Sequence, residues 1–110
     1  MDTRTKIISL EEAATHAREE GMPTVRIDCD PLLAPLAAAL GEFGGPVIAL
    51  LSDRPGAYLQ TRARMELAAG LASVAYVAEG DLPGGPDLRA AEAGWRAALE
   101  ADVLRKSEAS

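Results

Sequence analysis

Segments 24–29 (TVRIDC), 47–51 (VIALL) and 74–78 (VAYVA) are short and apolar, and a longer stretch with apolar residues at helical spacing precedes each one. That alternation constrains the fold more than any other feature. Strands that alternate with helices are joined by right-handed crossovers, which gives a parallel sheet with helices on both faces. Segment 47–51 contains no polar residue, as a strand covered on both sides requires. A length of 110 residues supports one core and leaves little for lids.

The punctuation between segments agrees. Ser9 opens the pattern S-L-E-E with Glu12 at its end, a capping box, and Leu10, Ala13, Ala14 and Ala17 follow as an apolar stripe up to Gly21 and Pro23. Pro31 suits the first turn of a second helix carrying Leu33, Leu36, Ala37 and Leu40. Leu59, Ala63, Leu67, Gly70 and Leu71 mark a third helix. Asp87 is a suitable N-cap for a fourth, with Leu88, Ala91, Trp95 and Leu99 turned inward. Residues 102–104 read as a short last strand before a frayed polar tail. The expected architecture is a Rossmann-like three-layer α/β/α sandwich with a small parallel sheet, residues 1–110 forming one domain.

Composition then excludes several classes. Aromatic residues are only 4 % of the chain, so Ala, Leu and Val must build the core. The net charge is −6 and no basic patch is present, which argues against a nucleic-acid partner. The single cysteine, Cys29, cannot close an intramolecular disulfide. Residues 1–13 carry no apolar signal core and no later run is long enough to span a bilayer, so a cytoplasmic, membrane-free protein is expected.

In open parallel sheets, ligands bind beyond the carboxyl ends of the strands, where strand order reverses. Two acidic groups fall there: Asp28 and Asp30 around Cys29, and Asp53 beside Ser52. Converging, Asp28, Asp30 and Asp53 could hold Mg²⁺ against a phosphorylated substrate. The structural alternative is that Asp30 caps the following helix and Asp53 its turn. Cys29 has a helix start nearby but no histidine partner, which favours a buried, inert thiol. The lone histidine, His16, falls on the polar side of the first helix. The glycine pairs at 44–45 and 84–85 do not have phosphate-loop spacing and mark turns. The D-x-D spacing is shared with haloacid-dehalogenase phosphatases, but Leu32 stands where that signature has threonine.

The order KIISLEEA, a strand ending in Cys29, then DPLL opening a helix resembles the cytidylyltransferase-like nucleotidyltransferases, in particular the heptose-phosphate adenylyltransferase branch. VIALLSD is similar to that family's second strand with its serine-aspartate end. TRARMELAAGLASVAYV is similar to its arginine-bearing helix and following strand, and EADVLRK to the start of its last core strand. The resemblance implies nucleotide-binding positions at Ser52, Asp53 and Arg64. It also places Ala34 and Ala37 where the family's H-x-G-H histidines belong, Leu36 at the glycine and Ala75 at a later acidic residue. Methyl groups cannot stabilise a transferring phosphoryl group, and losing one oriented donor already costs about a hundredfold in rate.

The expectation is therefore a catalytically degenerate domain with no catalytic residue, resident metal or cofactor. It would act as a binding or assembly module, as a homodimer or as partner of an active homologue, with at most weak binding of a nucleotide or small anion at Asp28, Asp30, Ser52, Asp53 and Arg64. A homodimer would cover a sheet edge left short, with Trp95 as a contact residue. The competing expectation is a Mg²⁺-dependent transferase built on the three aspartates.

Overall fold

The computed structural model describes residues 3–109. After a short 3-10 helix, Thr3–Lys6, come α1 (Leu10–Glu20), β1 (Thr24–Arg26), α2 (Ala34–Gly41), β2 (Val47–Leu51), α3 (Thr61–Ala69), β3 (Val74–Glu79) and α4 (Arg89–Ala109). The three strands form one parallel sheet in the order β1-β2-β3. Arg26 pairs with Leu50, and Leu50 with Ala78, so the strands are level at their carboxyl ends.

Two single bridges extend the sheet. Ile7 pairs parallel to Val77 at the outer edge of β3, and Asp87 pairs parallel to Arg26 at the outer edge of β1. Strand order therefore reverses at β1, which has β2 on one side and Asp87 on the other. Each edge strand thus carries one bridge from elsewhere in the chain, Ile7 on β3 and Asp87 on β1.

Crossovers of one hand that step the same way put their helices on the same face. Leu36 and Leu40 of α2 and Met65, Ala68 and Ala69 of α3 accordingly share one cluster with Val25, Ile27, Val47, Ala49, Leu51 and Val77. The step from Ile7 back to β1 runs the other way, and α1 packs on the opposite face through Ala13 against Ile48, Leu50 and Ala78. This is the expected three-layer arrangement. All five residues of β2 are buried.

Local details follow the sequence closely in α1. The Ser9 hydroxyl accepts from the Glu12 amide at 3.1 Å, the Glu12 carboxylate answers at the Ser9 amide, and Gly21 closes the helix at φ 64°. Gly85 is required for space: a Cβ there would stand 2.2 Å from the Thr24 carbonyl oxygen. That close approach lets the Pro86 carbonyl receive the Arg26 amide. The Arg26 side chain organises the same loop, donating to Asp81 and to the Leu82 and Gly85 carbonyls.

Several expectations are corrected. Segment 102–104 is not a strand: α4 continues through it to Ala109. After Gly94 no glycine or proline interrupts a run of Ala, Glu, Leu and Arg, and one β-branched residue, Val103, cannot stop it. The stretch EADVLRK, matched above to a family's last strand, is therefore helical. Helix α2 starts at Ala34 rather than Pro31, its proline in the first turn being Pro35. The buried face of α3 is Arg64, Met65, Ala68 and Ala69, while Leu67 is exposed. On α4 the buried positions are Glu92 and Arg96, and Leu99 is exposed. Trp95 is half-buried against the larger cluster. His16 is not free on a polar face: it stacks on Tyr76 with ring centres 4.1 Å apart and bonds Glu20 at 3.1 Å.

Candidate functional site

The chain leaves β1 at the point where strand order reverses. Ile27 still donates to the Leu50 carbonyl, but Asp28 and Cys29 turn away, with Cys29 in the left-handed region at φ 51°. That conformation disfavours any residue with a Cβ, and it points two successive amides into one concavity, an arrangement that binds anions. An anion is there. The Glu92 carboxylate, one turn into α4, accepts the Asp28 amide at Oε2 and the Cys29 amide at Oε1, each at 2.7 Å.

The rest of the turn is closed in the same way. Asp30 is fully buried; its Oδ1 accepts from the Leu59 amide at 2.8 Å and its Oδ2 from the Tyr58 amide at 2.9 Å and Arg54 Nη1 at 2.5 Å. It therefore pins the 54–59 loop and does not cap α2, whose N-cap residue, Leu33, supplies no side-chain bond. Arg96 donates from Nε to the Asp30 carbonyl at 2.7 Å, with Nη2 3.9 Å from Asp28 Oδ2. Arg64, fully buried, donates to the carbonyls of Asp28 at 3.0 Å and Ser52 at 2.8 Å and to the Thr61 hydroxyl. It clamps the ends of β1 and β2 together.

Three guanidinium groups (Arg54, Arg64, Arg96) thus face three carboxylates (Asp28, Asp30, Glu92). By formal charge the two sets are equal in number. The acids differ in titration. Burial pushes the Glu92 carboxyl up against the pull of the two amides it accepts. Burial also works against Asp30, but the Tyr58 and Leu59 amides with Arg54 and Arg96 outweigh it and hold that carboxyl below the ordinary range. Burial and the Glu92 charge push the Cys29 thiol up to about 12, which leaves almost no thiolate at neutral pH. The thiol is fully buried, as the sequence favours.

Of the sequence-derived site residues, Asp28, Asp30 and Arg64 meet in this cluster, and Ser52 joins through its carbonyl. Asp53 does not; it is exposed and accepts from the Thr61 hydroxyl at 3.3 Å. Among the described residues, no group of three or more His, Cys, Asp or Glu side chains is placed to hold a metal ion. Ala34 is exposed and Ala37 half-buried at the start of α2. Sequence reasoning did not single out Glu92, Arg96 or Arg54. A signal for Glu92 existed: it lies four residues after Leu88 and seven before Leu99, a charge on the stripe expected to face inward.

Beside the cluster runs a groove of about 580 Å³, walled by Pro31, Tyr58 and Leu59 on one side and Leu99, Val103 and Leu104 of α4 on the other. Arg96 and Glu100 mark its margins, and the Tyr58 hydroxyl donates across it to Glu100. Its apolar walls distinguish it sharply from the polar knot next door. Fold and site together define a small α/β domain whose sheet end is sealed by its own side chains. No family model matches the chain, and no curated protein and no solved structure matches it significantly. Among the described residues, no helix is long and apolar enough to cross a membrane.

Proposed function

We propose that this chain is a non-catalytic binding and assembly domain, a nucleotidyltransferase-like fold without transfer chemistry. One observation carries the reading: the anion-binding amides after β1 are filled by the protein's own Glu92 carboxylate. A transferase needs donors there that are free for the substrate's phosphates and reorganise little as charge develops. Here Asp30 and Glu92 hold backbone amides, and Arg64 and Arg96 hold backbone carbonyls, of other parts of the chain. Admitting a triphosphate would mean expelling Glu92 into a neighbouring carboxylate, Asp28, or out to water. Alanines at positions 34 and 37 add no donor at the start of α2.

The reading allows at most weak binding of a nucleotide or small anion. Calorimetric titration of the full chain with nucleoside triphosphates and Mg²⁺ tests it, alongside an assay for pyrophosphate release with phosphorylated sugars or alcohols present. The expected result is no saturable heat below the millimolar range and no pyrophosphate. Micromolar binding coupled to pyrophosphate release overturns it.

A further inference from the structure

The carboxylate seated in the turn after β1 reaches it from the first turn of α4 and behaves as a ligand held on a tether. Glu92 gives one oxygen to the Asp28 amide and the other to the Cys29 amide, each at 2.7 Å, and the residue is 1 % exposed. Other groups hold the receiving backbone without help from Glu92. The Ile27 amide donates to the Leu50 carbonyl at 3.1 Å, Arg64 Nη1 to the Asp28 carbonyl at 3.0 Å and Arg96 Nε to the Asp30 carbonyl at 2.7 Å. The Asp28 carbonyl and the Cys29 amide belong to one peptide plane, so the fully buried Arg64 also aims that amide. Asp30 ties the far side of the turn to the Tyr58 and Leu59 amides. Two converging donors fixed by bonds of their own are what a preorganised anion site requires.

Shape and charge select the anion. Two successive amides taking one oxygen each suit the planar, two-pronged end of a carboxylate. Burial opposes negative charge in this place, the two amides favour it, and the weaker effects of Asp28 and Arg96 oppose each other. A doubly charged phosphate meets both the burial cost and the Asp28 repulsion more severely than a monoanion does. Size follows from the side chain itself: what glutamate has and alanine lacks is a methylene and a carboxylate, an acetate ion but for one hydrogen. We propose that the Asp28–Cys29 turn is a binding site for small monocarboxylates, with Glu92 as its tethered resident ligand. The tether keeps the site latent, because an intramolecular carboxylate competes at an effective concentration of roughly millimolar or more and a free acid of millimolar affinity does not displace it. The inference deepens the reading above, on which it rests for the filled amides, by naming the class of ligand the site takes.

Thermal melts of the full chain by far-UV circular dichroism, in sodium acetate and in sodium chloride of equal ionic strength at neutral pH, test it. Glu92→Ala is expected to melt about 5 to 10 °C higher in about 200 mM acetate than in chloride, the shift that millimolar affinity produces. The wild type is expected to show no acetate-specific shift, and inorganic phosphate to raise the variant by less than about a third as much as acetate. In the variant's two-dimensional amide spectrum, Asp28 and Cys29 are expected to move together as acetate is added. If Glu92→Ala is unfolded in chloride, both salts are compared in enough trimethylamine N-oxide to restore the fold. A variant that acetate neither folds nor stabilises, an equal shift in the wild type, a response that spares both amides, or phosphate outdoing acetate would each overturn the proposal. The outcomes separate from those of the preceding reading: pyrophosphate release by the wild type sinks the non-catalytic assignment and leaves the acetate effect standing, and a variant without that effect does the reverse.

Discussion

Two regions a few residues apart on α4 have opposite characters. Around Glu92 and Arg96, six charged side chains are packed at the end of the sheet; five bond one another or backbone groups, and Asp28 lies 3.9 Å from Arg54 and Arg96. Around Leu99, Val103 and Leu104, apolar side chains face water with nothing over them. The first region holds the groups that chemistry uses and turns most of them onto the chain itself, with Arg64 Nε buried and unpartnered; the second holds apolar groups open to water. Residue type alone therefore misleads. Aspartates and arginines at a strand end can be mortar, and an aliphatic helix face can lie open to water.

The comparison is broken first by emptying the concavity. Glu92→Ala leaves two buried amides without acceptors and three arginines facing two acids. It is expected to cost about 3 to 5 kcal/mol in urea unfolding. A loss under about 1 kcal/mol would mean that the cluster is not a structural unit.

Asp30→Asn is next, at about 2 to 3 kcal/mol, since it removes the charge that three donors share. It also carries a pH signature. The folded carboxyl titrates below its ordinary value of 3.8, so the unfolded chain takes up the proton first as pH falls. The stabilisation from Asp30 is thus present above about pH 4 and lost as pH drops through the folded value. In Asp30→Asn that part of the acid-side decline is expected to disappear from pH-dependent melting curves. Glu92 has the opposite sign: its folded value lies above 4.5, so its contribution is greatest at low pH and declines as pH rises through that window.

Cys29 sharpens the contrast without altering a residue. With the thiol near 12 and fully buried, only about one molecule in ten thousand carries thiolate at pH 8. Labelling by an aromatic disulfide reagent is expected only at the rate of unfolding, and at once in concentrated urea. Rapid stoichiometric labelling of the native chain would place Cys29 in an open site instead. The smallest effect belongs to the groove. Val103→Ser, measured at a concentration where the chain is dilute, is expected to change stability by less than about 0.5 kcal/mol. A larger loss would mean that Val103 is packed on its own domain.

The layers of the fold were legible because they rest on local rules. The capping box at Ser9, the glycine stop at Gly21 and the uninterrupted apolar run of β2 each act within a few residues. What the sequence hid depends on partners far along the chain. Asp30 reads as a helix cap until the 54–59 loop arrives to claim both its oxygens, which moves the start of α2 to Ala34. Arg64 reads as a ligand for phosphate, yet it turns the buried face of α3 towards the carbonyls of Asp28 and Ser52, leaving Leu67 outside. The second half of α4 reads as a strand because Val103 and Leu104 are apolar. In the structure they are exposed residues of a helix.

The direct test of the central claim is a two-dimensional amide spectrum of the full chain, assigned at Asp28 and Cys29 and titrated with a Mg²⁺–nucleoside triphosphate and, separately, inorganic phosphate. With Glu92 already seated on both amides, neither resonance is expected to move through several millimolar ligand. A saturable shift of both together, at micromolar ligand, would contradict the account.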